Sequence, residues 1–124
     1  MALHNRLGSD GESIARSFLE KKGYSILAQN WRYRKLEIDI IAQKDNLLVI
    51  IEVKTRSSNA FGYPESFVSQ RKMQNLIEAA AAYIEEKEIN AGIRFDVIAI
   101  TKTKQGTNIE HFEDAFNSIH AFGL

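Results

Sequence analysis

Acidic residues and one lysine interrupt two apolar segments that are otherwise rich in isoleucine, valine and leucine. The first segment carries Glu37 and Asp39, and the second carries Glu52 and Lys54. Charged side chains within an apolar strand are costly unless another group compensates them. A divalent cation such as Mg²⁺ or Mn²⁺ would compensate the acids, because carboxylate oxygens are hard ligands for these ions. The residue types and their spacing therefore indicate a metal site.

The two segments, 36–42 and 47–54, have the composition of β-strands. Their β-branched side chains suit a pleated, half-buried surface. Asp45 and Asn46 lie between the segments, and both side chains tolerate the left-handed backbone angles of a tight turn. We therefore predict an antiparallel hairpin that is apolar on both faces and belongs in the centre of a sheet.

A two-residue turn determines which side chains face each other across this hairpin. Asp39 is then predicted to lie opposite Glu52, and Glu37 opposite Lys54. Opposed side chains have Cβ atoms about 4.5–5.5 Å apart, so two like charges there repel each other. Two interpretations remain open. Either a shared cation holds the acids together, or the charges are solvated and Glu37–Lys54 is a weak surface ion pair.

Composition limits the class of protein. The chain has 124 residues, a formal net charge of zero and no cysteine, which excludes disulfides and thiolate metal ligands. This length suits one domain spanning 1–124, with 1–8 expected as a flexible arm and 113–124 expected to dock on the domain. No apolar run reaches the roughly 20 residues of a membrane span, and no signal-peptide core is present. We therefore expect a cytoplasmic protein without a membrane partner.

The other elements are predicted from periodicity and from turn-forming residues. Ser9 to Glu12 has the pattern of a capping box, which gives Glu12 a structural explanation as an alternative to a chemical one. A helix follows and ends near Gly23, and the later strands and long helix are predicted at 24–30, 36–42, 47–54, 69–87, 94–101 and 108–112. We therefore expect an α/β fold with a mixed central sheet flanked by helices, in the order α-β-β-β-α-β(-β).

Basic and polar side chains near the hairpin are candidates for substrate contacts. Arg32 and Arg34 alternate with Trp31 and Tyr33. This pattern suits phosphates and exposed bases, but it equally suits an ordinary turn with arginine side chains lying along it. Three further candidates follow the hairpin, namely Arg56, Gln70 and Lys72. Asp96, in the strand predicted at 94–101, is either a further metal ligand or a hydrogen-bond acceptor.

The order of an acidic residue, an Asp-bearing strand, a Glu-x-Lys strand and a helix resembles the PD-(D/E)xK nuclease superfamily. The matching residues are Glu12, Asp39 and Glu52-Val53-Lys54, and Ile38 stands where the superfamily motif has proline. A wider set of residues resembles the YraN-like family of small bacterial proteins over nearly the whole chain. That set is Gly11-Glu12, Gly23-Tyr24, Asn30, Glu37-Ile38-Asp39, Glu52-Val53-Lys54-Thr55-Arg56, Phe61-Gly62, Lys72 and Arg94-Phe95-Asp96-Val97.

This resemblance implies roles for individual residues. Asp39 and Glu52 would hold Mg²⁺ or Mn²⁺, with the Val53 carbonyl as a third ligand. Lys54 would orient or activate the attacking water and stabilise negative charge. Glu12 would complete the acidic cluster as a catalytic and metal-binding group. A bound cation and an adjacent ammonium are groups that phosphodiester hydrolysis can use.

The resemblance further implies a restriction-endonuclease-like fold and an endonuclease similar to archaeal Holliday junction resolvases. Branched or otherwise irregular DNA is then the expected substrate, with contacts from Arg32, Arg34, Arg56, Gln70 and Lys72. A homodimer is expected by analogy, because resolvases cut two strands. Two alternatives remain, since the zero net charge gives no overall attraction to DNA. One is a nucleic-acid-binding module without turnover, and the other is a structural or protein-interaction domain.

Overall fold

The computed structural model describes residues 3–56 and 68–123, with side chains described from residue 10 onward. The elements are α1 (Leu3–Lys21), β1 (Ser25–Tyr33), β2 (Leu36–Lys44), β3 (Leu47–Arg56), α2 (Gln70–Lys87), β4 (Gly92–Thr103), β5 (Gly106–Phe116) and α3 (Ser118–Phe122). This order confirms the predicted α/β class and the predicted sequence of elements, including the second strand after the long helix.

The strands form one five-stranded sheet in the order β1-β2-β3-β4-β5. Neighbouring strands are antiparallel except for β3 and β4, which are parallel. Parallel neighbours need a crossover connection, and α2 lies in the segment that joins them. The sheet is therefore mixed, as predicted, with β1 and β5 at its edges.

The hairpin register agrees with the prediction over most of its length. Lys44 pairs with Leu47 across the turn, and the pairing continues to Ile40 with Ile51. Asp45 has a φ of 55°, the left-handed conformation expected of its turn. The described ladder ends at Ile40 with Ile51, so the predicted backbone pairing of the charged residues further along is not part of it.

Helices cover both faces of the sheet. On one face, α1 packs Ala15 and Leu19 against strand residues such as Ile51. On the other face, α2 packs side chains such as Leu76 against strand residues that include Ile50. Burial on both sides explains why β2 and β3 carry nearly continuous apolar runs instead of alternating ones.

Helix α1 begins earlier than the sequence indicates. It starts at Leu3, so residues 3–8, expected to be a flexible arm, lie within the helix. Ser9 is consequently not the first cap of this helix, and the capping-box explanation of Glu12 is wrong. The start of α2 agrees with the prediction, because the Ser69 side chain accepts a hydrogen bond from the Lys72 backbone N–H.

The C-terminal segment docks only in part. Phe116, at the end of β5, and Ala121, in α3, are buried in the core on the α2 side. Ile119 and Phe122, which belong to the segment expected to dock, are 60% and 48% exposed. Neither of the longer helices in the described part of the chain has the length and apolar character needed to cross a membrane.

Candidate active site

Asp39 lies where the regular geometry of the sheet is interrupted. Ile38 and Ile41 pack into the core on the α2 side, whereas Ile40 packs into the core on the α1 side. A regular strand would place Ile38 and Ile40 on the same face. In the neighbouring strand β1, Asn30 has a left-handed φ of 50°. Strands β1 and β2 are therefore irregular near Asn30 and Asp39. The Asp39 side chain does not have to follow the regular alternation between the two faces of the sheet.

The Asp39 carboxylate contacts β3 directly. Its Oδ2 accepts a hydrogen bond of 2.8 Å from the Val53 backbone N–H. Glu52 precedes Val53 in β3 and is only 4% exposed. Burial and, to a lesser extent, the negative charge of Glu52 together raise the pKa of Asp39 to about 8, while the hydrogen bond from the Val53 N–H acts in the opposite direction. Asp39 and Glu52, called the carboxylate pair below, therefore interact across the open end of the hairpin.

Two lysines contact one oxygen of this pair. Glu52 Oε2 lies 3.4 Å from Lys54 Nζ and 3.8 Å from Lys72 Nζ. The other oxygen, Glu52 Oε1, is buried and has no hydrogen-bond partner. An unpartnered buried carboxylate oxygen is unfavourable, since it has lost water without gaining a donor. Two adjacent carboxylates with one free oxygen fit the ligand chemistry of Mg²⁺ or Mn²⁺.

Glu12 affects the pKa of Asp39, but it does not form a three-ligand metal site with the carboxylate pair. Its negative charge is among the causes that raise the pKa of Asp39, although it ranks below burial and Glu52. Within residues 10–56 and 68–123, no three His, Cys, Asp or Glu side chains are arranged to hold a metal ion. The structure therefore brings together Asp39, Glu52 and Lys54, with Glu12 acting at longer range.

Gly11 accounts for the close approach of α1 to this region. A Cβ atom at this buried position would lie 2.0 Å from Thr55 Oγ1 in β3. Glycine within a helix is about 1 kcal/mol less favourable than alanine, so its presence here requires a reason. The absence of a side chain lets the helix backbone reach β3 beside Lys54. The next residue is Glu12, which explains how a helix residue comes to influence Asp39.

Two predicted substrate contacts lie on β1 or the turn that follows it. Arg32 Nη2 forms an ion pair of 2.9 Å with Glu37 Oε2 across β1 and β2. Glu37 therefore pairs with Arg32 and Lys54 with Glu52, so the alternative of a Glu37–Lys54 surface ion pair is not what the structure shows. Arg34 lies over the ring of Tyr33, with its guanidinium carbon 5.0 Å from the ring centroid.

The other three candidates follow β3 or begin α2. Arg56 is exposed at the end of β3. Gln70 Nε2 donates a hydrogen bond of 3.4 Å to the His120 backbone carbonyl, so this side chain contacts α3. Lys72 contacts Glu52 as described above, which makes it the candidate that the structure brings to the carboxylate pair.

Asp96 forms a second acidic centre with a different role. Arg94 donates to both of its oxygens at 2.9 and 2.8 Å, and the Asp114 backbone N–H donates at 3.0 Å. His111 Nε2 lies 2.7 Å from Asp96 Oδ2. Burial acts to raise the pKa of Asp96, but these hydrogen bonds outweigh it and the pKa is lowered. Asp96 is therefore a hydrogen-bond acceptor that ties β4 to β5, the second of its two predicted roles.

The fold and the carboxylate pair define an α/β protein with an acidic–lysine centre at the open end of a β-hairpin. Residues 11–100 match the family described as "Uncharacterised protein family UPF0102". The chain is 55% identical over 116 residues to a UPF0102 protein of Flavobacterium psychrophilum, covering 94% of this chain and 98% of that protein. It is 43% identical over 116 residues to a UPF0102 protein of Bacteroides thetaiotaomicron, covering 94% and 96%. The chain therefore belongs to UPF0102, the YraN-like family.

Proposed function

We propose that this protein is a divalent-cation-dependent endonuclease that hydrolyses phosphodiester bonds in DNA, with branched DNA such as a Holliday junction as its substrate class. One observation carries the proposal. Half-buried Asp39 and buried Glu52 converge beside Lys54, and Glu52 Oε1 has no hydrogen-bond partner there. A carboxylate pair beside an ammonium is the donor set that a metal-assisted phosphodiester hydrolase uses.

The carboxylate pair would hold Mg²⁺ or Mn²⁺. When bound, the cation would lower the pKa of a water nucleophile and neutralise charge on the phosphate. The raised pKa of Asp39, to about 8, supports this role, because it reports a largely buried acid held beside the negative charge of Glu52. A cation bound between the two acids would offset that repulsion and displace the proton from Asp39. Glu12 adds negative charge on the α1 side.

The two lysines would act on the substrate. Lys54 Nζ is 3.4 Å from Glu52 Oε2, and its side chain is 33% exposed, so the ammonium lies between the buried acid and solvent. From this position Lys54 would donate hydrogen bonds to a phosphate oxygen and stabilise the charge that develops there. Lys72, at 3.8 Å from the same oxygen and 39% exposed, would hold the phosphate from the α2 side.

A cleavage panel tests this proposal. Purified protein is incubated with linear, nicked, single-stranded and four-way-junction DNA, each with Mg²⁺, Mn²⁺ or EDTA. We expect cation-dependent cleavage that Asp39→Asn and Lys54→Met each reduce by about 100-fold or more. Glu37→Gln is the matched control, because it neutralises an acid of the same strand that pairs with Arg32, and it should retain most of the activity.

The same panel distinguishes the alternatives. Salt-dependent DNA binding without cleavage of any substrate would indicate a nucleic-acid-binding module that lacks turnover. Absence of both binding and cleavage, with no effect of Mg²⁺ on thermal unfolding, would indicate a structural or protein-interaction domain. Cleavage that persists in both Asp39→Asn and Lys54→Met would assign the activity to a contaminant or to another site.

A further inference from the structure

A cleft of about 480 Å³ lies between strand β1 and helix α2. Trp31 and Tyr33 line its β1 side, and their rings are parallel within 3° with centroids 6.5 Å apart. Trp31 also packs edge-on against Tyr83, a buried residue of α2, at 5.1 Å between ring centroids. The contacts of Trp31 with Tyr33 and with Tyr83 fix the orientation of the Trp31 ring on the aromatic side of this cleft.

The α2 side of the cleft is acidic. Glu78, Glu85 and Glu86 line it, and their spacing of seven and eight residues places them on one face of the helix, two turns apart. Ala81 and Ala82 lie between them and also line the cleft. Small side chains at these two positions leave the space that a longer side chain would fill. Aromatic rings face carboxylates across this space, and we call it the aromatic–acidic cleft.

This combination selects a cation. Aromatic faces attract positive charge, and carboxylates pair with it. Glu86 pairs with Lys87 at 3.4 Å, and Glu78 and Glu85 would repel DNA phosphates, so the cleft does not extend a DNA-binding surface. The chain itself shows that a guanidinium suits these rings, because the Arg34 guanidinium already lies over Tyr33. A planar guanidinium stacks on rings and pairs with carboxylates through two hydrogen bonds, which an ammonium cannot do.

The position of the cleft favours a protein partner. Strand β1 forms an edge of the sheet, and Trp31 and Tyr33 are part of that strand. An extended segment can add to such an edge through backbone hydrogen bonds and place a side chain in an adjacent pocket. We propose that the aromatic–acidic cleft binds an arginine side chain from an extended segment of a partner protein. This inference does not depend on nuclease activity.

Trp31 provides the measurement, because it is the one tryptophan in the sequence. The full chain is titrated with tri-arginine amide while tryptophan emission is recorded. The control is tri-citrulline amide, which has nearly the same shape without the positive charge. We expect a saturable change with tri-arginine amide, none with tri-citrulline amide and weaker binding of tri-lysine amide.

Matched variants locate the site. Glu78→Gln/Glu85→Gln should weaken tri-arginine binding by about fivefold or more, since it removes two cleft charges. Glu110→Gln is the control, because this exposed acid lies on β5 at the opposite edge of the sheet. Ala81→Gln fills the cleft without changing charge and should also weaken binding. Circular dichroism shows whether the double variant folds. If it does not fold, Ala81→Gln tests the location of the site in its place.

Several results would overturn the proposal. These are no saturable response to tri-arginine amide, an equal response to tri-citrulline or tri-lysine amide, or an equal loss in Glu110→Gln. A response to oligo-dT in place of tri-arginine amide would assign Trp31 and Tyr33 to base stacking and would also overturn it. DNA cleavage is measured in parallel, and Glu78→Gln/Glu85→Gln should leave it unchanged.

Discussion

Two acidic centres in the described part of the sheet, at Asp96 and at the carboxylate pair, differ in how their charge is compensated. Asp96 is fully buried and receives hydrogen bonds from Arg94, His111 and the Asp114 backbone. Its pKa is lowered although burial acts to raise it. At the carboxylate pair, Asp39 receives one backbone hydrogen bond, and its pKa is raised to about 8.

The difference separates a structural acid from an acid that is prepared for a ligand. Around Asp96, Arg94 also contacts Tyr24 at 2.7 Å and Glu113 at 3.3 Å, so the polar groups form a closed network that joins β4 and β5 to the connection between α1 and β1. At the carboxylate pair the protein leaves Glu52 Oε1 without a partner. Strongly perturbed acids with missing partners are typical of functional sites, because their unfavourable energy is relieved on binding.

The largest expected effect comes from breaking the closed network. Asp96→Asn removes the negative charge that Arg94 contacts in a buried setting, and Arg94 is only 18% exposed. We expect the free energy of unfolding to fall by about 3–5 kcal/mol, as for other buried ion pairs that lose one partner. Urea unfolding followed by circular dichroism measures it. A loss below about 1 kcal/mol would show that Asp96 is not the structural centre described here.

The carboxylate pair should make the stability of the protein fall as pH rises, whereas Asp96 should make it fall as pH decreases. Burial and Glu52 raise the folded-state pKa of Asp39 from 3.8 to about 8, so the folded protein keeps a proton that the unfolded chain releases. Because the folded state binds more protons, stability falls as pH rises from about 4 to about 8, by up to about 1.4 kcal/mol per pH unit. Asp39→Asn should remove this contribution.

The measurement compares urea unfolding of wild type and Asp39→Asn at several pH values between 4 and 8, with EDTA present. Asp39→Asn should gain stability relative to wild type as pH rises. The lowered pKa of Asp96 contributes the opposite sign, with stability lost as pH falls, but it is common to both proteins and cancels in the difference. Parallel curves for the two proteins would contradict a raised Asp39 pKa.

Binding of a cation should convert the carboxylate pair into a compensated centre. At a concentration 100 times its dissociation constant, Mg²⁺ or Mn²⁺ would raise the free energy of unfolding by about 2.7 kcal/mol. Thermal unfolding with and without the ion measures this increase. Asp39→Asn should reduce it and Glu37→Gln should not, since Glu37 pairs with Arg32. An unchanged wild-type midpoint up to millimolar cation would argue against a metal site.

The sequence predicts the carboxylate pair well because the information is local. Asp39 and Glu52 belong to one hairpin, and a turn at Asp45 fixes a register that the structure shows as far as Ile40 and Ile51, the residues next to the two acids. The Asp96 network is not predictable in this way, because its contacts join distant segments. Lys22 and His111, which meet at 2.8 Å, are 89 residues apart. Their approach depends on the packing of α1 beside the β5 edge.

Two local predictions also failed for physical reasons. Ser9 and Glu12 match a capping box, yet the helix continues back to Leu3, because a cap pattern states a preference and does not forbid further turns. The extended register also allowed an ion pair of Glu37 with Lys54, but Glu37 pairs with Arg32 and Lys54 with Glu52, and the described ladder ends at Ile40. The left-handed Asn30 in the neighbouring strand accompanies this irregularity, and nothing in the β2–β3 sequence indicates it.

The smallest expected effect is that of Gly11→Ala. This substitution tests whether the close approach of α1 to β3 contributes to the raised pKa of Asp39. Gly11→Ala adds a Cβ that would lie 2.0 Å from Thr55 Oγ1, so the helix must shift and carry Glu12 away from Asp39. Overpacking typically costs 1–3 kcal/mol, and the better helix propensity of alanine returns about 1 kcal/mol. We expect a net loss of up to about 2 kcal/mol, measured by urea unfolding.

The double variant Gly11→Ala/Thr55→Ala distinguishes a displacement of α1 from β3 from a general loss of stability. Removing Thr55 Oγ1 relieves the closest contact and leaves the Thr55 Cβ at 3.2 Å from the new methyl group. We expect this variant to recover part of the stability lost by Gly11→Ala, measured against Thr55→Ala alone. Because Glu12 helps to raise the pKa of Asp39, Gly11→Ala should also weaken the pH dependence assigned to Asp39, and the double variant should restore it. If Gly11→Ala loses stability while the pH dependence stays intact, α1 supports the fold but does not set the charge of the carboxylate pair.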